Sequence, residues 1–84
     1  MTELTSTFTA RPGGVWTDEV GVITGELELH TVCGENGSVT VRVRYVGALD
    51  WYTVTGTTGT QLHDPCDHEV VHTLLRNVLQ HPSG

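Results

Sequence analysis

The chain predicts an α+β domain: a four-stranded, mainly antiparallel β-meander with one C-terminal α-helix packed on one face. Three observations carry this. Through residues 3–56 apolar and polar side chains mostly alternate, the two-residue period of half-buried strands. Between 65 and 80 the aliphatics switch to helical spacing. Glycine and proline clusters break the alternation where a chain has to turn. At 84 residues there is room for a single domain, 1–84, and a hydrophobic fraction of 37% is enough for one core.

The first strand, about 4–10, places Leu4, Ser6, Phe8 and Ala10 on one side. Arg11-Pro12-Gly13-Gly14 ends it, since proline cannot donate to a ladder. The second strand, about 20–33, is two-faced in its later part, with Ile23, Leu27, Leu29, Thr31 and Cys33 against Glu26, Glu28, His30 and Val32. Val20 and Val22 fall out of phase with that set, which predicts a bend near Gly21 or Gly25. The third strand, about 39–46, alternates strictly, with Val39, Val41, Val43 and Tyr45 opposed to Thr40, Arg42 and Arg44.

Register between these two strands follows from charge and apolar order together. A two-residue Asn36-Gly37 turn would set Leu29 against Arg44 and mix the faces. A three-residue loop, Glu35-Asn36-Gly37, pairs Cys33 with Val39, Leu29 with Val43 and Glu28 with Arg44. It also puts Gly37 where such loops need a left-handed residue, so the sequon Asn36-Gly37-Ser38 reads as a turn. A fourth strand, about 50–56, then follows. A four-residue loop would bring Tyr52 and Val54 to the core face and set Trp51 on the other face beside Val46. Gly56 to Thr60 reads as a flexible connector with nothing to bury.

The helix is expected over about 65–80, with Asp64 as cap, Pro65 at its first position and Asp67 completing a capping box. Val70, Val71, Leu74, Leu75, Val78 and Leu79 form the stripe expected to cover the sheet, with Leu74 at its centre, and His81-Pro82 ends it.

Charge excludes several functions. Four Arg and no Lys stand against ten Asp and Glu, a net charge of −6, so almost nothing is present to neutralise phosphates, and no nucleic-acid partner is expected. The missing Lys also excludes a P-loop, a Schiff-base enzyme and a polybasic membrane patch. No apolar run is long enough to span a membrane, and the first residues lack a basic-then-apolar leader. Two cysteines are too few for a disulfide scaffold. The expected setting is a reducing cytoplasm with free thiols, and the Arg-only, Gly/Thr/Val-rich composition points to a bacterial source.

Two constellations compete for function. His63, Cys66, His68 and His72 fall in a ten-residue window, and His68 and His72 have the i, i+4 spacing that can chelate zinc from one helix face. Against that, no C-x-x-C pair occurs, His72 is expected on the solvent side of the stripe, and buried cysteines with rim histidines need no metal. Cys66 as a nucleophile is opposed by its neighbours Asp64 and Asp67, which would raise its pKa. Glu26 and Glu28 share a strand face but look across at Arg42 and Arg44 as cross-strand support, and no G-x-S-x-G or phosphate loop appears, so no enzyme is expected.

The second constellation lies on the sheet face the helix leaves open. Trp51, Val46 and Val32, with Trp16 nearby, border Arg42 and Arg44 there. Either Trp16 folds over Trp51 within one chain, or the face meets a partner, since tryptophan and arginine recur at interface hot spots. The preferred reading is a small cytoplasmic, non-enzymatic protein-binding module, a homodimer through that face being its simplest form. Zinc binding by the 63–72 segment is the alternative, and a small enzyme without a recognisable motif the second.

Overall fold

The structure, a computed structural model, describes residues 2–64 and 67–80. Strands β1 (Thr2–Thr9), β4 (Glu26–Cys33), β5 (Val39–Tyr45) and β6 (Tyr52–Thr53) form an antiparallel sheet in the order β1-β4-β5-β6. Strands β2 (Val15–Thr17) and β3 (Gly21–Ile23) make a separate hairpin, and helix α1 (His68–Leu79) is packed on the sheet. This is the α+β class and strand order expected from the alternation.

The β4–β5 register is the one argued from the three-residue loop. Cys33 pairs with Val39, Leu29 with Val43, Leu27 with Tyr45, Glu28 with Arg44 and His30 with Arg42. Gly37 closes the loop at φ +83°. It has a second reason to be glycine, because a Cβ there would run into the Leu62 carbonyl. The Leu62 N–H donates to the Gly37 carbonyl at 2.8 Å, so the connector returns to line β5. That connector is ordered rather than free: Ser38 bridges to Gln61, and the Thr57 and Thr60 hydroxyls donate to the Val54 and Thr57 carbonyls.

Four expectations are corrected. The stretch 20–33 is two strands, because Gly21 (φ +77°) and Gly25 (φ +93°) both turn the chain. Val20 and Val22 are out of phase because they belong to the hairpin, whose other strand, Val15–Thr17, has too short a period to read from sequence. The hairpin lies along the last sheet strand: Thr17 bridges to Val54, and the Thr55 N–H donates to the Trp16 carbonyl. The fourth strand is two residues long and slipped by two, Tyr52 pairing with Val43, so Trp51 comes level with Arg44 rather than Val46. The face assignment survives, since a slip of two preserves it.

The fourth correction concerns the helix. It begins at His68 rather than 65, with Asp67 as N-cap and no capping bond from the Asp67 side chain. The expected Pro65, Cys66 and His81-Pro82 signals lie outside the described residues. At twelve residues, roughly 18 Å, it is shorter than expected and packs mainly on β1 and β4. The helix is also rotated. Leu75 and Leu79 pack on the core, but Val70, Leu74 and Val78 are exposed, and the inward positions are held by His68 and His72. The rest of the core is the inner face of the strands: Phe8, Ala10, Val15, Ile23, Leu27, Leu29, Cys33, Val39, Val41, Val43 and Val54.

Helix and sheet are also joined at the sheet's edge. The Ala10 N–H donates to the Gly25 carbonyl, which makes the even-numbered residues of β1 the ones bonded to β4. Odd-numbered residues therefore turn their backbone groups outward. The Arg76 Nε donates to one of these, the Thr7 carbonyl, at 3.1 Å, and Arg11 N–H donates to the Leu79 carbonyl at 3.0 Å. A charged side chain on an edge blunts its tendency to recruit another strand.

Candidate interaction surfaces and the buried histidine network

Alternation carries one set of side chains to the open face of the sheet, away from α1. There the Arg44 guanidinium meets Glu28 with two bonds, Nε to Oε1 at 3.2 Å and Nη2 to Oε2 at 3.3 Å. The same guanidinium lies over the Trp51 ring, 4.3 Å from its centroid, and His30 packs against that ring at 5.2 Å. His30 in turn sits 3.2 Å from Glu3. Charged neighbours thus hold Trp51 half-buried within the chain. The Glu28–Arg44 pair is the one given by the register argued from the sequence, and it leaves the Arg44 guanidinium engaged within the chain.

Other expected surface residues are spread around this cluster. Val32 lies in β4 between Glu3 and Thr40, half-buried, and Arg42 is exposed opposite Thr53. Val46, just past β5, helps line a shallow cleft of about 400 Å³ with Glu26, Arg76 and Gln80. Trp16 does not bury itself: it is 63% exposed, paired across the hairpin with the exposed Val22. At the hairpin tip two carboxylates reach over the sheet edge. Glu19 accepts the Thr53 N–H at 2.7 Å and the Thr53 hydroxyl at 2.9 Å, and Asp18 accepts the Thr55 hydroxyl. The Thr53 backbone bond is the main reason the Glu19 carboxyl is held below its ordinary pKa.

On the helix side the polar and apolar roles are exchanged. Thr31 Oγ1 lies 2.8 Å from His68 Nε2 and 2.6 Å from His72 Nδ1, and Ser6 Oγ lies 2.9 Å from His72 Nε2. His68 is 2% exposed and His72 7%. His68 Nδ1 is buried and has no partner among the described residues. Burial lowers both histidines below the ordinary 6.5, and for His72 the neighbouring His68, Arg76 and His30 lower it further.

His68 and His72 are therefore brought together, but both face the sheet, which corrects the solvent-side placement of His72. Three of their four ring nitrogens contact hydroxyls. His63 is exposed, and Cys66 lies outside the described residues. Among the described residues no three metal-capable side chains converge. The sequence reading missed Thr31 and Ser6. Their signal was present, a hydroxyl at a core-face position in each of two strands, but only the rotation of α1 shows what they meet.

Opposite the histidines, Val70, Leu74 and Val78 stand 58–60% exposed in a row along the helix, flanked by Glu69 and Thr73. An exposed aliphatic row backed by a buried polar one inverts the usual amphipathic helix. No known protein family, curated protein or solved structure matches the chain, so its own geometry carries the reading that follows.

Proposed function

We propose that the protein is a non-enzymatic protein-binding module whose simplest partner is a second copy of itself, met through the outer face of α1. The observation that carries this is the exposed Val70-Leu74-Val78 row. These residues lie on a single i, i+4 ridge, and the ridge reads Val-Leu-Val in either direction. A twofold axis through Leu74 therefore sets Val70 of one copy against Val78 of the other, and like ridges interdigitate at about −50°. Such a crossing contacts through roughly three residues a side, which suits a row of three.

Charge placement supports a self-partner despite the net −6. Of the exposed acids by the row, Asp67 and Glu69, the two copies of Glu69 come nearer in the twofold arrangement and still fall about 15 Å apart, beyond the screening length of about 8 Å. Arg76 is turned away to the sheet edge. The contact is well below the ~800 Å² per partner of a stable complex, so the dissociation constant belongs on the order of 10⁻⁴ M.

Sedimentation from about 10 μM to 1 mM tests this. The wild type should pass from monomer to dimer, more readily at high salt, and Leu74→Ser should stay monomeric with its fold intact. A wild type that is monomeric throughout overturns the self-partner reading. The open sheet face is the second reading, favoured by the exposure of Trp16 beside Val22. It predicts that Trp16→Ser, rather than Leu74→Ser, abolishes the dimer.

A further inference from the structure

We propose that α1 is an acid-released lid, held on the sheet by a histidine pair that shares one hydroxyl. This concerns the inner attachment of the helix and stands whether or not a partner docks on its outer face. His68, Thr31, His72 and Ser6 form one chain of contacts, in the order Nε2–Oγ1–Nδ1 and Nε2–Oγ. With both rings neutral every contact is satisfied. His68 Nε2–H donates to Thr31, Thr31 donates to His72 Nδ1, and His72 Nε2–H donates to Ser6. Only a bare lone pair is then left on His68 Nδ1, the buried atom without a partner among the described residues.

Any added proton spoils this arrangement. On His68 it goes to Nδ1, which has no acceptor among the described residues. On His72 it goes to Nδ1, so Thr31 receives two N–H groups and its own hydrogen loses its acceptor. Shifting His68 to the other tautomer rescues that hydrogen but leaves the Nδ1–H orphaned. Each protonated form therefore strands a buried donor as well as burying a charge.

The carboxylates of α1, β1 and β4 are exposed or engaged elsewhere, and the Thr31 backbone bond, which favours a charged His68, is outweighed by burial. On α1 itself Asp67 and Glu69 are exposed, and Arg76, one turn on, is positive. Strand β1 contributes the Ser6 hydroxyl, while its Glu3 is engaged with His30 on the open face. Strand β4 contributes Thr31 and the buried Cys33, and its Glu28 is engaged with Arg44 on the far side. His68, Arg76 and His30 all work against a charge on His72. The rest of the inner attachment is modest, Leu75 and Leu79 being only partly buried.

The direction in pH follows. A released helix carries ordinary histidines and a docked one carries depressed ones, so the released state binds more protons as pH falls below about 6.5. With two protons taken up, the released-to-docked ratio rises at most about a hundredfold per pH unit.

Hydrogen exchange at single amides, corrected for intrinsic rates, tests the proposal between pH 7.5 and pH 5.5. The expected result is a loss of at least tenfold in protection across Val71–Leu79 while the β4 and β5 amides keep theirs. In the double variant His68→Gln, His72→Asn, whose amides can still reach Thr31 but do not titrate, α1 protection should be independent of pH. Helix and strand amides losing protection together, or an unchanged pH dependence in the double variant, would overturn it. Should that variant not fold, imidazole titration by NMR in the wild type decides. Proton uptake by both rings in the interval where α1 opens supports the lid, and titration with α1 still protected refutes it.

Discussion

Exchanging Leu29 and Leu74 for alanine, one at a time, separates the two faces of the helix-and-sheet packing. Leu29 is fully buried in β4 between Ser6 and Val43. Leu29→Ala should cost about 2–5 kcal/mol, the range for deleting a core leucine into a site that cannot collapse. For 84 residues the whole stability is roughly 4–13 kcal/mol, so this variant sits near the limit of folding. Leu74 is 58% exposed and loses well under half of that transfer energy, while alanine is the better helix former by a few tenths of a kcal/mol. Leu74→Ala should therefore cost under about 1 kcal/mol. Urea unfolding at about 5 μM, where a weak dimer is dissociated, measures the monomer term alone. A loss above about 2 kcal/mol for Leu74→Ala at that concentration would mean the Val70-Leu74-Val78 row is covered within the monomer, and both the helix rotation and the docking surface would fall with it.

Gly37→Ala combines a positive φ with a collision at the Leu62 carbonyl and should cost about 2–4 kcal/mol, whereas Gly47→Ala, with the same φ sign and open space around it, should cost about 1; thermal or urea unfolding of the two reads the difference. Arg76→Ala leaves the outward Thr7 carbonyl without its guanidinium, so it should change stability by only about 1 kcal/mol but hasten aggregation of the folded protein, followed by light scattering. The Glu19 carboxyl should titrate below 4.5 by NMR, and the stability it adds should be present above that pH and fade as pH falls through the lowered value. Thr53→Val should return little of that shift, because the backbone N–H, which survives the substitution, is the larger cause.

The β4–β5 pair was the most legible part of the chain. Two constraints, apolar order and opposite charge, applied to the same residues and permitted one register. Where only one constraint acted, the reading drifted. The short last strand offered Tyr52 and Val54 as face markers and no charge pair, so its face was right and its register two residues off. The β2–β3 hairpin is built from three-residue strands, shorter than any periodicity can show, although Gly21 and Gly25 marked the break that makes room for it. For the site, the aromatic and arginine residues of the open face were found, and so was Glu28 opposite Arg44, but the packing of Arg44 and His30 on Trp51 was not. That packing depends on the two-residue slip that brings Trp51 level with Arg44.

The helix is the instructive case, because its pattern was sound and its orientation was not. Its six aliphatics lie at 100° steps, and Val70, Leu74, Val78, Val71, Leu75 and Leu79 sweep about half the circumference in that order. A sheet takes up a narrower arc than that, and the pattern alone does not say which end. On that arc His68 falls between Leu75 and Leu79, and His72 sits just beyond Leu79. Rotating the helix toward them buries two imidazoles and needs hydroxyls to receive them; rotating away buries Leu74 and needs apolar neighbours. The sheet beneath α1 supplies the Ser6 and Thr31 hydroxyls at the positions in question. The hydroxyls thus select the rotation: turned the other way, Thr31 would be buried against leucine, with no partner for its hydroxyl. Thr31→Val tests this step. It strips the shared hydroxyl from both histidines and should cost about 2–4 kcal/mol, because two ring nitrogens are left buried and unpaired. Thr31→Val together with His68→Leu and His72→Leu should recover most of that loss, since an apolar inner face no longer needs hydroxyls. Loss of the same size in the triple variant would show that the histidine-to-hydroxyl contacts do not set the rotation of the helix.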